Sequence, residues 1–200
     1  MPNPVIISAA VEGMVDEAVV CRLIACVGGH PGPVYGKNGK PPLRQKITGY
    51  NNAGRHAPWI VLVDLNSDAQ CAPMLRQNWL PTPAQRLCFR VAVRQVEAWL
   101  MADAGAMAAF LGVAKRQIPA DPEAIPNAKA AMVNLARASR RREIRADMVP
   151  REGSGRTVGP AYASRMIEYA QTHWRPEVAA QRADSLRRAI ECLKRLVEDA

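Results

Sequence analysis

The sequence predicts an α/β protein, a mainly parallel sheet flanked by helices, and three observations carry that prediction. Apolar runs of the length buried on both faces of a sheet recur at Val5 to Ala9, Trp59 to Asp64 and Leu87 to Val93. Helical patterns separate these runs and follow the last of them, giving the order strand, helix, strand, helix, strand, helix. From about Pro119 onward the strand signal stops and only helical patterns remain.

Each element has a local reason. Val5 to Ala9 is continuously apolar and leads to a turn at Glu12-Gly13. Asp16 can cap the helix that follows. Val20, Leu23, Ile24 and Val27 repeat at i, i+3, i+4, i+7 and give that helix one apolar face, and Gly28-Gly29 ends it. Residues 28 to 42 hold five glycines and four prolines, with Lys37 and Lys40 among them, and read as a loop. Leu43 to Arg55 is polar and helical in pattern. Trp59 to Asp64 is the second strand, followed by the loop Leu65 to Asp68 and a short helix reaching Leu80. Pro81 and Pro83 punctuate before the third strand, Leu87 to Val93, and Val96 to Ala102 starts a helix directly after it. Asn127 to Ala138, Pro160 to Trp174 and Asp184 to Asp199 are helical. Leu186, Ile190, Leu193 and Val197 form the apolar stripe of the last. The basic, glycine-containing stretch Arg140 to Gly159 reads as a linker. The expected organisation is an α/β core over 1–118 and a helical, basic C-terminal extension over 119–200, packed on the core as one compact unit.

Composition narrows the class. At 200 residues with 48% apolar content, the chain is long enough for a sizeable core and is not disordered by composition. No apolar run approaches the roughly 18 residues a membrane span needs. The opening segment Met1 to Ile7 lacks a basic n-region, so a signal peptide is not expected and the cytoplasm is the expected compartment. The five cysteines, Cys21, Cys26, Cys71, Cys88 and Cys192, are scattered and show no zinc spacing; they are expected to be reduced and packed as small apolar residues. Lys and Arg total 27 against 18 Asp and Glu, a net charge of +9, which favours an anionic partner such as nucleic acid. A generally arginine-rich composition is the alternative reading.

Open parallel sheets place their sites at the carboxyl ends of strands. Glu12 follows the first strand, Asp64 closes the second with Asn66 and Asp68 in its loop, and Glu97 lies in the helix after the third. If these strands are neighbours, their carboxylates converge on a site suited to Mg²⁺ (or Mn²⁺), a hard cation that takes oxygen ligands and keeps several waters. In an extended loop residues i and i+2 point the same way, so Asp64, Asn66 and Asp68 can face one ion. Glu12 is a further ligand or a general base. The structural alternatives are a turn glutamate, a helix N-cap aspartate and ordinary Asx turn formers, with Glu97 favoured by the helix dipole or paired to Arg90 or Arg94. Asp103 falls off the helical face of Glu97 and reads as structural. Trp59, Trp79 and Trp99 read as core, and His30, His56 and His173 carry no assigned role.

Glu12-Gly-Met-Val-Asp16-Glu17 and Val63-Asp64-Leu-Asn66-Ser-Asp68 resemble the two acidic motifs of the Toprim fold, a glutamate after strand one and Asp-x-Asp after a later strand. Arg90-Val-Ala-Val-Arg94-Gln-Val-Glu97-Ala-Trp-Leu-Met-Ala-Asp103 resembles the Glu-Ala-Trp-Leu-Leu-Ala-Asp signature of the DUF4276 family. Pro126-Asn-Ala-Lys129, Val149-Pro-Arg-Glu-Gly153, Gly159-Pro-Ala-Tyr162 and Ser185-Leu-Arg-Arg188 are similar to later motifs of that family, so the resemblance spans nearly the whole chain. It implies a Toprim-like core with a helical extension, Mg²⁺-dependent nuclease activity, and kinship with nuclease effectors of bacterial anti-phage defence (OLD-type relatives) that work beside an ATPase partner. Asn66 departs from the pattern. It offers one neutral oxygen where Asp offers a carboxylate, which lowers expected Mg²⁺ affinity. Val15 departs too, at a position that often carries Thr.

The basic residues Arg137, Arg140, Arg141, Arg142, Arg145, Arg151 and Arg156 are the candidates for nucleic-acid binding, since arginine forks match phosphate oxygens. The alternative is a solvated face paired with Glu143 and Asp147. Gly153-Ser-Gly155-Arg156 is a weak candidate for backbone contact to a phosphate. The function expected is a metal-dependent phosphodiester hydrolase of DNA or RNA. The alternative is a non-catalytic module with a degraded metal site that docks on nucleic acid or an ATPase. Expected partners are nucleic acid, an ATPase protein and a second copy of the chain, with no membrane. A doubly wound nucleotide-binding protein is disfavoured, because the turn Ala9 to Gly13 lacks a glycine-rich phosphate fingerprint.

Overall fold

The structure, a computed structural model, describes residues 4–199, so Met1 to Asn3 of the opening segment lie outside the described residues. Four strands, β1 (Ile6–Val11), β2 (His30–Gly36), β3 (Trp59–Asp64) and β4 (Leu87–Ala92), form one all-parallel sheet in the order β2-β1-β3-β4. Helices α1 (Met14–Cys26), α2 (Lys40–Gln45), α3 (Ile47–Ala53), α4 (Ala72–Trp79), α5 (Val96–Ala102) and α6 (Ala104–Leu111) connect or follow the strands. The chain then forms α7 (Ala128–Arg137), α8 (Arg142–Met148), α9 (Tyr162–Thr172), α10 (Pro176–Ala179) and α11 (Asp184–Glu198). No helix among the described residues is long and apolar enough to cross a membrane.

The side-chain period of two splits each central strand between two cores. Ile7, Ala9 and Val11 of β1, Ile60 and Leu62 of β3, and Cys88 and Ala92 of β4 face one core, shared with α1, α5, α7, α9 and α11. Ala10, Val61, Val63, Phe89 and Val91 face the other, covered by Leu43 of α2, Tyr50 of α3 and Leu75 of α4. The C-terminal helices therefore share the first core with the sheet. Trp99 and Trp174 are fully buried there, and each satisfies its indole: Trp99 donates to Ser185 Oγ at 2.7 Å, Trp174 to the Trp99 carbonyl at 3.2 Å. Truncating such a tryptophan costs about 3–5 kcal/mol.

Several expectations need correction. The stretch 28 to 42, read as a loop, contains β2. Its sequence His-Pro-Gly-Pro-Val-Tyr-Gly lacks an apolar run because its side chains stay exposed or half-buried, and its prolines are tolerated because it is an edge strand. Gly36 ends it at φ +90°, and a Cβ there would sit 2.2 Å from the Val11 carbonyl oxygen. The helical stretch after Leu43 is two helices broken at Lys46, and the expected linker from Arg140 contains α8. Cys88 and Cys192 form a disulfide that ties β4 to α11, so the expectation of reduced cysteines holds only for Cys21, Cys26 and Cys71. The two pair because the first-core face of β4 lies directly under α11.

The chain leaves β1 toward β2 through α1, then reverses past β1 to reach β3 through α2 and α3 on the opposite face. Crossovers of one hand require that change of face when the direction reverses. The switch point falls between β1 and β3, and ligands of open α/β sheets bind outside the carboxyl ends at such a point.

Candidate functional site

Glu12 and Asp64 flank that switch point, directly after β1 and at the end of β3. Glu12 Oε1 accepts the Asp64 backbone N–H at 2.8 Å, so one acid fixes the strand end that carries the other. Asp64 Oδ1 accepts the Val96 N–H at 2.9 Å, at the start of α5, one residue before Glu97. A cis peptide bond joins Val93 to Arg94 in the connection between β4 and α5.

A fourth acid joins them. Asp16 does not cap α1; Gly13 occupies that position, and Asp16 lies in the first turn, buried, with Oδ1 lacking any hydrogen-bond partner. Burial pushes its carboxyl up to about 7, with the charges of Glu12 and Glu97 adding to the rise. Burial also raises Asp64 well above the carboxylate range, followed by the charges of Asp16, Glu97 and Glu12. Glu12 is raised too, by burial, against the lowering effect of the Asp64 N–H and of Lys40. Glu97 is 1% exposed; its Oε1 accepts the Tyr162 hydroxyl at 3.2 Å, and its Oε2 is buried without a partner.

Two lysines reach into this acid group. Lys40 Nζ, at the start of α2, lies 3.6 Å from Glu12, and donates at 2.5 Å to both Asp68 and the Asp64 carbonyl. Lys129 of α7 pairs with Glu97 at 3.5 Å. Burial alone would lower the Lys129 ammonium, but the charges of Glu97, Asp64 and Asp16 outweigh it and raise it overall. Tyr162 is carried on α9, whose start is set by Gly159: a Cβ there would come 2.4 Å from the Asp147 carbonyl oxygen. Burial, then the charge of Glu97, holds the Tyr162 phenol well above its ordinary range.

The structure brings Glu12, Asp64 and Glu97 together and adds Asp16, Lys40, Lys129 and Tyr162, none of which was assigned a role in the site from sequence. Asp68 reaches the group only through Lys40, with its own side chain 42% exposed. Asn66 stands apart from the sequence argument. Its φ of +49° breaks the extended register that would have aimed it alongside Asp64, and its backbone exchanges hydrogen bonds with Arg94. Glu97 pairs with Lys129 and Tyr162, not with Arg90 or Arg94. Asp103 is structural as expected: it caps α6 and is held at both oxygens by Arg175.

The basic run divides. Arg141 donates to the Phe110 carbonyl and Arg145 to the Ser139 carbonyl, so both anchor backbone. Arg137 bonds Asn134. Arg140, Arg142, Arg151 and Arg156 are exposed, and among the described residues no acid lies within ion-pair distance of any of the seven. Asp147 pairs instead with Arg165.

Four carboxylates against two ammoniums, in a largely buried setting, leave a negative surplus that protonation or a bound cation relieves. The donor set is all hard oxygen, and the partnerless atoms Asp16 Oδ1 and Glu97 Oε2 are free to accept, which fits Mg²⁺ in chemistry. Among the described residues no three His, Cys, Asp or Glu side chains are grouped closely enough to hold a metal ion as they stand. A fit by one or two carboxylates with water completing the shell is the mode Mg²⁺ commonly adopts. Comparison with protein-family models, with curated proteins and with solved structures gives no match for the chain.

Proposed function

We propose that the protein is an Mg²⁺-dependent (or Mn²⁺-dependent) phosphodiester hydrolase acting on nucleic acid. The observation that carries this reading is the uncompensated carboxylate group at the β1/β3 switch point, with two buried oxygens lacking partners. The net charge of +9 and the exposed arginines Arg140, Arg142, Arg151 and Arg156 supply attraction for a polyanion. The resemblance to Toprim and DUF4276 sequences, including a place beside an ATPase in anti-phage defence and in the cytoplasm, belongs to the same reading.

When bound, the ion supplies charge neutralisation at a phosphoryl oxygen and lowers the pKa of water. Glu12 and Asp64 would hold it, since they flank the switch point. Glu12, the most exposed of the four acids, would serve either as that second ligand or, with Asp64 alone on the ion, as the base for the attacking water. Lys40 and Lys129 orient Glu12 and Glu97. The test is cleavage of labelled single-stranded DNA, duplex DNA and RNA with Mg²⁺ or Mn²⁺ by wild type, Glu12→Gln and Asp64→Asn. Activity that is lost in both variants supports the proposal; equal activity in all three proteins ends it.

A second reading is favoured by one observation. Among the described residues no three acids stand at metal-holding separation, and two lysines already occupy part of the group. On that reading the chain is a non-catalytic module that binds nucleic acid or an ATPase. A thermal midpoint that ignores millimolar Mg²⁺ and Mn²⁺, together with absent cleavage, would select it.

A further inference from the structure

A cavity of about 390 Å³ lined by charged side chains lies outside the carboxylate group, and its size is that of a small-ligand site. Arg76 of α4, Arg90 of β4, Arg94 just past β4 and Arg188 of α11 line it. Its two acids are already engaged. Glu123 accepts the N–H groups of Asp184 at 3.0 Å and Ser185 at 3.1 Å, and the Ser185 hydroxyl at 2.5 Å. Asp184 pairs with Arg187 and, at 2.6 Å, with Arg188.

Arg76 and Arg90 are left over, and Arg94 is engaged only through one N–H, donated to the Asn66 carbonyl at 2.9 Å. Among the described residues no carboxylate lies within ion-pair distance of any of them. The Nε atoms of Arg76 and Arg90 are buried with no hydrogen-bond partner. Burial, and then the like charges of Arg76, Arg195 and Arg188, bring Arg90 down to about 10. Crowded guanidiniums with unsatisfied donors are costly until an anion arrives. Guanidinium forks match phosphate oxygens two at a time. Ala72, Pro73, Val93 and Ala124 add an apolar part to the lining, which a bare inorganic ion would leave uncovered.

We propose that this cavity binds the phosphate of a nucleotide, with Arg76, Arg90 and Arg94 as donors and the sugar or base against Ala72, Pro73, Val93 and Ala124. The nucleotide is either free or one unit of a strand. Leu65 is the residue after Asp64, and Arg94 lies two residues before Val96, whose N–H holds Asp64. Cavity and carboxylates therefore share the carboxyl end of β3 and β4. The strand source rests on the hydrolase reading; the phosphate chemistry does not.

The test is calorimetric titration of the full chain, in low salt with EDTA, using adenosine monophosphate, inorganic phosphate and a short single-stranded oligonucleotide. Adenosine monophosphate is expected to bind, and more tightly than inorganic phosphate. Arg76→Gln, on a half-buried helical position, is expected to weaken it by roughly tenfold or more. Where Arg76→Gln lowers the thermal midpoint, Arg94→Gln reads the same donors. Binding must persist in Asp64→Asn. Wild type that binds no adenosine monophosphate, or an affinity unchanged in both arginine variants, overturns the proposal. Oligonucleotide that competes with adenosine monophosphate identifies the strand source, and oligonucleotide that does not compete identifies the free nucleotide. Intact nucleotide binding without any metal-dependent cleavage removes the hydrolase reading and leaves this one standing.

Discussion

Two buried aspartates sit at the two ends of α5, and their surroundings drive them apart. Asp103, at the C-terminal end, is gripped by the Arg175 guanidinium at 2.8 and 2.7 Å and by the N–H groups of Ala106 and Arg175. Burial would raise its carboxyl, but the Arg175 hydrogen bonds outweigh that and hold it below the usual range. Asp64, at the N-terminal end, receives one N–H from Val96 and faces three other acids, and burial with their charge raises it. The lesson is that burial alone does not tell a structural acid from a functional one. A carboxylate matched on the spot holds the fold together; one set among like charges is stable only with a proton or a cation supplied from outside.

Four measurements break or sharpen that contrast. The largest effect is expected in cleavage: Asp64→Asn should lower the Mg²⁺-dependent rate by roughly 100-fold or more, with Asp103→Asn leaving the rate per folded molecule nearly unchanged. Loss of rate in both would erase the distinction. In thermal melts, Arg175→Ala should lower the midpoint by roughly 5–10 °C, because Asp103 stays buried without its partner. Asp64→Asn, in EDTA at pH 8, should raise the midpoint, and a fall there would mean the acid is structural after all.

The pH dependence has a definite sign. Asp16 is raised from 3.8 to about 7 on folding, so between those values the unfolded chain has released a proton that the folded chain retains. Its contribution is most favourable below pH 4 and declines as pH climbs to about 7, by on the order of 4 kcal/mol. Asp16→Asn should flatten the metal-free stability profile across that window; a profile as steep as wild type would show that another group titrates there. The smallest effect is the metal shift. At ten times its dissociation constant Mg²⁺ should add about 1.4 kcal/mol, a rise of roughly 3–6 °C at pH 8, and Asp64→Asn should cancel it.

How much of this could be read in the sequence depended on whether the cause was local. β1, β3 and β4 announce themselves because helices cover both their faces, so they are apolar throughout except at Ser8, Asp64 and Arg90. β2 does not, because Pro31 and Pro33 are tolerated on an edge and its exposed side chains need no pattern. Glu12, Asp64 and Glu97 could be placed near one another from the rule that sites gather at strand carboxyl ends. From sequence Asp16 reads as a cap, since nothing local says that α9 packs against α1 or that Asp16 is buried. Lys129 and Tyr162 come from segments 32 and 65 residues beyond Glu97, and only the tertiary packing brings them to it. Both lie in stretches already singled out by resemblance, which was the one signal available. Asn66 failed for a conformational reason, a left-handed residue in a loop assumed to be extended.

The bond between Cys88 and Cys192 spans 104 residues of chain, which takes in α5 through most of α11. The carboxyl-terminal helices are thus a closed ring covalently rooted in the sheet, not a tail laid against it. A single proteolytic cut anywhere within that ring leaves both fragments joined. The nicked protein should migrate as one species under denaturing conditions and separate into two only when a reductant is added.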